Sequence, residues 1–139
     1  MRLAELEPRF VHLEFRTETY TRILGDPHTW KRGDPTEQVT GPREYHIFVD
    51  EPTRADGIFF LCPKCYTKNH GKVGTHRIMC WFMGRVPDET WPRPGRWTLI
   101  GDNFDDLSLG PGPNGKASVL LTDGCGAHFN VVLGGIIDA

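Results

Sequence analysis

No stretch of this sequence is apolar for long enough to cross a membrane as a helix. The longest apolar runs, such as Gly57 to Leu61 and Val131 to Leu133, fall far short of the ~18 residues that a span requires. An excess of charge of either sign is also missing. Sixteen Lys and Arg against eighteen Asp and Glu leave a net charge of −2, so bulk electrostatics do not recommend nucleic acid or an anionic membrane as a partner. The opening Met1-Arg2-Leu3-Ala4-Glu5-Leu6-Glu7-Pro8 carries acids where a signal peptide would have an uninterrupted apolar core. A soluble, unexported protein is the expectation. There is no Gly-x-Ser-x-Gly elbow, no phosphate-binding glycine loop and no His-Glu-x-x-His pair, so no reaction is named by motif. Helix-length amphipathic stretches are absent after residue 40, because sixteen glycines and eleven prolines interrupt the chain too often. Internal repeats and low-complexity segments are absent too.

Between these interruptions lie short runs rich in β-forming residues. Phe10 to Phe15, Tyr45 to Val49, Gly57 to Leu61, Val73 to Phe82, Arg96 to Ile100, Ala117 to Thr122, His128 to Leu133 and Gly135 to Ile137 read as strands bounded by turn formers. Their spacing predicts an all-β fold, an antiparallel β-sandwich or small barrel. At 139 residues the chain is expected to form a single domain, 1–139, large enough to bury roughly two-thirds of its unfolded surface. Residues 16–43, polar and containing Trp30, are predicted to be an excursion on the surface, with one helical turn around Glu18 to Leu24. Residues 87–95 hold three prolines around Trp91 and predict a stiff loop that presents an aromatic ring. Trp30 and Trp91 are therefore the candidate partner-binding residues, since aromatic anchors dominate interfaces. The acidic loop Asp102, Asn103, Asp105 and Asp106 lacks the glycine and glutamate of an EF-hand and reads as a solvated loop.

The chemistry concentrates in two short hooks, Cys62-Pro63-Lys64-Cys65 and Cys125-Gly126-Ala127-His128. In each, two potential ligands separated by two residues can bite one ion from a tight turn, and Pro63, Gly124 and Gly126 suit such turns. Three thiolates and an imidazole are a set that closes a tetrahedral structural zinc site. The predicted metal ligands are thus Cys62, Cys65, Cys125 and His128, and Zn2+ is the predicted cofactor. Reduced thiols on a metal fit a chain without an export signal better than two disulfides do. The fourth cysteine, Cys80, falls in a strand whose alternation puts His76, Ile78, Cys80 and Phe82 on one face, and it reads as a buried small apolar residue.

Two enzymatic readings compete with a structural ion. His12-Leu13-Glu14 followed by Cys62 and Cys65 outlines a zinc deaminase, but no proline precedes Cys62 and the pattern leaves Cys125 and His128 without a role. In a small zinc-dependent hydrolase, His76 or His46 would act as base beside the ion, while His70 sits in a turn-forming sequence. A nucleic-acid-binding zinc ribbon would rest on Lys64, Lys68, Lys72 and Arg77, charges that read as ordinary solvated positions.

From Gly57-Ile58-Phe59-Phe60-Leu61-Cys62-Pro63-Lys64-Cys65, through Trp97, Leu107-Ser108-Leu109 and Cys125-Gly126-Ala127-His128-Phe129, to Gly135-Ile136-Ile137, the chain resembles a small zinc-binding bacterial and phage family of unknown function. Members commonly carry a cysteine-proline-cysteine-glycine-cysteine knuckle, a later tryptophan, a leucine strand, a cysteine-x-x-histidine-aromatic hook and a terminal glycine-hydrophobic strand. Lys64 and Leu109-Gly110-Pro111 depart from that pattern. The resemblance covers roughly residues 44–137 and implies Cys62, Cys65, Cys125 and His128 as ligands. It also implies a bacterial cytoplasmic or phage virion setting. The expected function is a non-enzymatic, zinc-stabilised binding or assembly module with a protein partner, virion subunits among the candidates. The alternatives are the hydrolase and the zinc ribbon.

Overall fold

The most apolar run of the chain, Gly57–Leu61, becomes the strand around which the core is organised. The computed structural model describes all residues, 1–139. They form two compact units, one of Met1–His12 with Phe48–Ala139 and one of Leu13–Ile47. Strands β1 (Arg9–Ile23), β2 (Thr36–Val49), β3 (Gly57–Leu61) and β4 (Arg77–Trp81) stand in the order β2-β1-β3-β4. Strands β5 (Thr98–Ile100) and β6 (Ser108–Gly110) form a two-stranded sheet. Strands β7 (Val119–Leu120), β8 (His128–Val132) and β9 (Gly135–Asp138) form a three-stranded one. The only α-helix is α1, Pro63–Asn69. An antiparallel all-β fold is thus what the strand spacing predicted.

β3 is antiparallel both to the start of β1, with Phe10 opposite Ile58, and to β4, with Phe60 opposite Ile78. A strand covered on both faces reads as a continuous apolar run rather than an alternation, which is why Gly57–Leu61 looks as it does. Its first residue must be small: a Cβ on Gly57 would lie 2.7 Å from the Trp81 ring and 2.8 Å from the Cys80 carbonyl oxygen. Gly57→Ala is therefore expected to destabilise the protein by about 1–3 kcal/mol, read as a lower urea midpoint with an unchanged m-value.

The core gathers Leu3, Leu6, Phe10, Ile58, Phe60, Ile78, Phe82, Leu107, Phe129 and Val131, all buried. Phe60 of β3 meets Phe129 of β8 edge-on, with ring centroids 6.1 Å apart at 79°, and so joins the four- and three-stranded sheets. Cys80 is fully buried within β4, and burial pushes its thiol pKa up. The proline-rich loop is held by Arg96, a buried cation that donates to the carbonyls of Pro87, Asp88, Thr90, Pro92 and Gly95. In the acidic loop the side chains serve the backbone. Asp106 accepts from the Asp102 and Asn103 amides, and Asn103 accepts from those of Asp105 and Asp106.

The smaller unit is a two-stranded ribbon. Within it Thr19 meets Thr40, Gln38 donates to Thr21, Arg22 pairs with Glu37 and the Tyr45 hydroxyl donates to Glu18. Arg16 lies over Tyr45 and Arg43 over Tyr20. The helical turn expected at Glu18 to Leu24 is not formed, since β1 runs unbroken to Ile23. Thr-Glu-Thr-Tyr-Thr is rich in β-branched and aromatic residues, which favour the extended form.

Candidate metal centre

Cys62 follows β3 directly and stands at the N-cap of α1, with Pro63 at the first helical position, where its missing N–H is not needed. The Tyr66 amide closes the first turn on the Cys62 carbonyl at 2.9 Å, and Cys65, three residues after Cys62, falls on the same face. Cys125 sits in the turn between β7 and β8, between Gly124 (φ 75°) and Gly126 (φ 67°). Both lie in the left-handed region that glycine enters without steric cost. Lys64 Nζ donates to the Cys125 carbonyl at 2.7 Å, which fastens the second hook to the first.

The fourth donor comes from the strand next door. The ladder between β3 and β4 continues one pair beyond β4, with the Cys62 amide donating to the His76 carbonyl at 2.9 Å. Register therefore places His76 directly opposite Cys62. Alternation gives His76 the same face as the buried Ile78 and Cys80. Cys62, Cys65, His76 and Cys125 each offer one ligand atom, and these atoms all lie within 4.8 Å of one another.

Two of the separations compare directly with those around a tetrahedral ion. Cys62 Sγ is 3.7 Å from Cys125 Sγ, and His76 Nε2 is 3.4 Å from Cys125 Sγ. Metal–sulfur bonds of ~2.3 Å and a metal–nitrogen bond of ~2.05 Å at tetrahedral angles require edges of ~3.8 and ~3.6 Å. Those two edges agree with a tetrahedral ion, and the four donors lie close enough together to hold a metal ion. Its thiols differ in acidity. Burial, the largest influence on Cys62, pushes its pKa up. Burial also opposes ionisation of Cys125, but hydrogen bonds from His76 and the Ala127 amide, with those from Cys62 and Cys65, bring its pKa below the ordinary thiol value. Cys125 is therefore readier than Cys62 to meet an incoming cation as thiolate, and metal binding by thiols releases protons.

The expected His128 is replaced in this cluster by His76. His128 opens β8, where Phe129 and Val131 are buried. Alternation turns His128 to the opposite face, and its Nε2 lies 3.1 Å from Ser118 Oγ. The same alternation, applied to both histidines from sequence, separates them: His76 shares a face with Ile78, Cys80 and Phe82, whereas His128 opposes Phe129 and Val131. Spacing within the Cys-x-x-His hook outweighed that signal.

The other candidates lie outside the cluster. His12 pairs with Asp56 at 2.8 Å, His46 with Glu44 at 3.2 Å, and His70 is the left-handed cap of α1. Trp91 is 66% exposed, with the Arg93 guanidinium over its ring. Trp30 is half-buried, its indole N–H donating to the Pro35 carbonyl at 3.3 Å. No helix is long and apolar enough to cross a membrane. No family model, no curated protein and no solved structure matches this chain.

Proposed function

We propose that the protein is a non-enzymatic binding or assembly module whose fold is stabilised by zinc. The observation that carries this reading is the composition of the cluster: three thiols and one imidazole fill a tetrahedral ion and leave it no position for water or substrate. His76, the base of the competing hydrolase reading, is itself one of the four donors. Soft thiolates joined by an imidazole suit zinc and disfavour calcium, magnesium and manganese, which take oxygen ligands.

The surfaces offered to a protein partner are the ribbon of residues 13–47 and the loop that carries Trp91. β2 stands at a sheet edge, and an edge carries main-chain groups available for pairing with another chain. The resemblance to a bacterial and phage family supports a phage or prophage setting, in which the partners would be virion subunits.

Cobalt substitution tests the metal half of this reading. One ion per chain with a thiolate-rich, four-coordinate spectrum that ignores added azide is expected, whereas a spectrum that moves with azide would favour the hydrolase. For the binding half, residues 16–43 are replaced by a short turn. The shortened chain should keep its metal and its cooperative unfolding but lose partners that the full chain retains in affinity capture. Identical partner sets would remove the ribbon from the interface.

A further inference from the structure

β4 and β7 are both terminal strands of their sheets, and both line one groove of about 800 Å³ in the larger unit. Main-chain direction along β4 follows from its pairing. The Cys62 amide bonds to the His76 carbonyl and the Phe82 amide to the Asp56 carbonyl, so even-numbered residues from 76 to 82 turn their N–H and C=O toward β3. Hydrogen-bonding direction alternates along an antiparallel strand, so Arg77, Met79 and Trp81 turn theirs away. Trp81 is met there by the Trp97 amide at 3.1 Å, while Arg77 and Met79 line the groove. On the facing wall the Leu121 amide bonds to the Ala127 carbonyl. By the same alternation Ser118 and Leu120 turn their main chain away from β8, on the side where β7 has no neighbouring strand.

The side chains add a charge preference. Arg77, Arg93 and Lys116 line the groove, and no aspartate or glutamate does, although acids outnumber bases in the chain as a whole. Arg77 also approaches Glu7, at 3.4 Å, and Arg93 lies over Trp91. The Arg77 guanidinium also lies over the Phe59 ring of β3, so Arg93 and Lys116 are the cations left to an occupant of the groove.

We propose that this groove takes an extended, acidic segment of a partner protein, which adds as a strand to the open edge of β4 and lies against β7. Strand addition supplies affinity through main-chain hydrogen bonds, and alternate side chains supply selectivity. Here the acidic side chains of the segment would meet Arg93 and Lys116, and its apolar ones Leu120 and Met79. A single-stranded nucleic acid shares the charge but could not continue a β ladder. The inference rests on the protein being a binding module and names the chemistry of one partner.

The test titrates the metal-loaded, full-length protein with fluorescein-labelled nonapeptides that alternate Glu with Val, Lys with Val, or Ser with Val, and with a labelled oligothymidylate. The Glu peptide is expected to bind at least about tenfold more tightly than the Lys peptide and to weaken as salt rises. The double substitution Arg93→Glu with Lys116→Glu should remove that preference. N-methylation of every peptide amide should abolish binding with no change to the protein, which keeps the test sound even if the double variant misfolds. Equal binding of the three peptides, survival of binding after N-methylation, or binding of oligothymidylate alone would each overturn the proposal. An azide-insensitive cobalt spectrum together with no peptide binding would overturn the groove assignment and leave the module reading standing.

Discussion

Serine in place of Cys125 is expected to abolish metal binding and cooperative unfolding together. Cys125 touches two other donors of the cluster, 3.7 Å from Cys62 Sγ and 3.4 Å from His76 Nε2, and it comes from a turn far along the chain from both the first hook and the start of β4. A metal held here links the end of β3, the start of β4 and the turn between β7 and β8. Structural zinc contributes an apparent ~10–16 kcal/mol in small finger peptides, against ~5–15 kcal/mol for the whole net stability of a domain. Even a fraction of that decides whether this chain stays folded at ambient temperature. Thermal melts with and without chelator are the measurement. The natural chain should fall by tens of degrees when EDTA is added, and the Cys125→Ser chain should show no cooperative transition with or without EDTA. A serine variant that bound no metal yet kept the natural melting temperature would refute a structural role for the ion.

The second large effect separates the two histidines. His76→Ala should lower metal affinity by at least about a hundredfold and shift the cobalt spectrum toward a site with an exchangeable water, since a tetrahedral ion would lose one of its four protein ligands. His128→Ala should leave stoichiometry and spectrum unchanged, because that ring lies on the outer face of β8 against Ser118. The converse result, with His128 indispensable and His76 neutral, would reinstate the Cys-x-x-His hook as the ligand pair. Competition with a chromophoric chelator measures both variants on one scale, and near-natural folding of each keeps the comparison interpretable.

The strands were the most legible part of this chain. Gly57–Leu61 announced itself as an apolar run because β3 is covered on both faces, and Phe10 to Phe15 because Val11 and Leu13 alternate into the core, although Phe10 is buried on the other face and Phe15 is exposed. The remainder of β1 and most of β2 escaped notice for the opposite reason. From Arg16 to Ile23 neither face of the ribbon is buried, so no apolar alternation marks it, and the polar residues there read as a loop. The clasp of the proline-rich loop was likewise invisible, since Arg96 is an ordinary surface residue type until its carbonyl partners surround it.

At the metal centre the division is sharper. Sequence alone pointed to three thiols in one site, because Cys62 and Cys65 stand in a turn with two residues between them and Cys125 opens a second, glycine-flanked one; that Cys62 stands at the N-cap of a helix was decided by the structure. The fourth donor was decided by tertiary structure. His76 reaches the cluster only because β4 pairs with β3 in the register that sets it opposite Cys62, and His128 is carried away only because Phe129 and Val131 claim the inner face of β8. Ligand spacing along the chain reports which atoms can approach one another, whereas strand register and side-chain face decide which of them do.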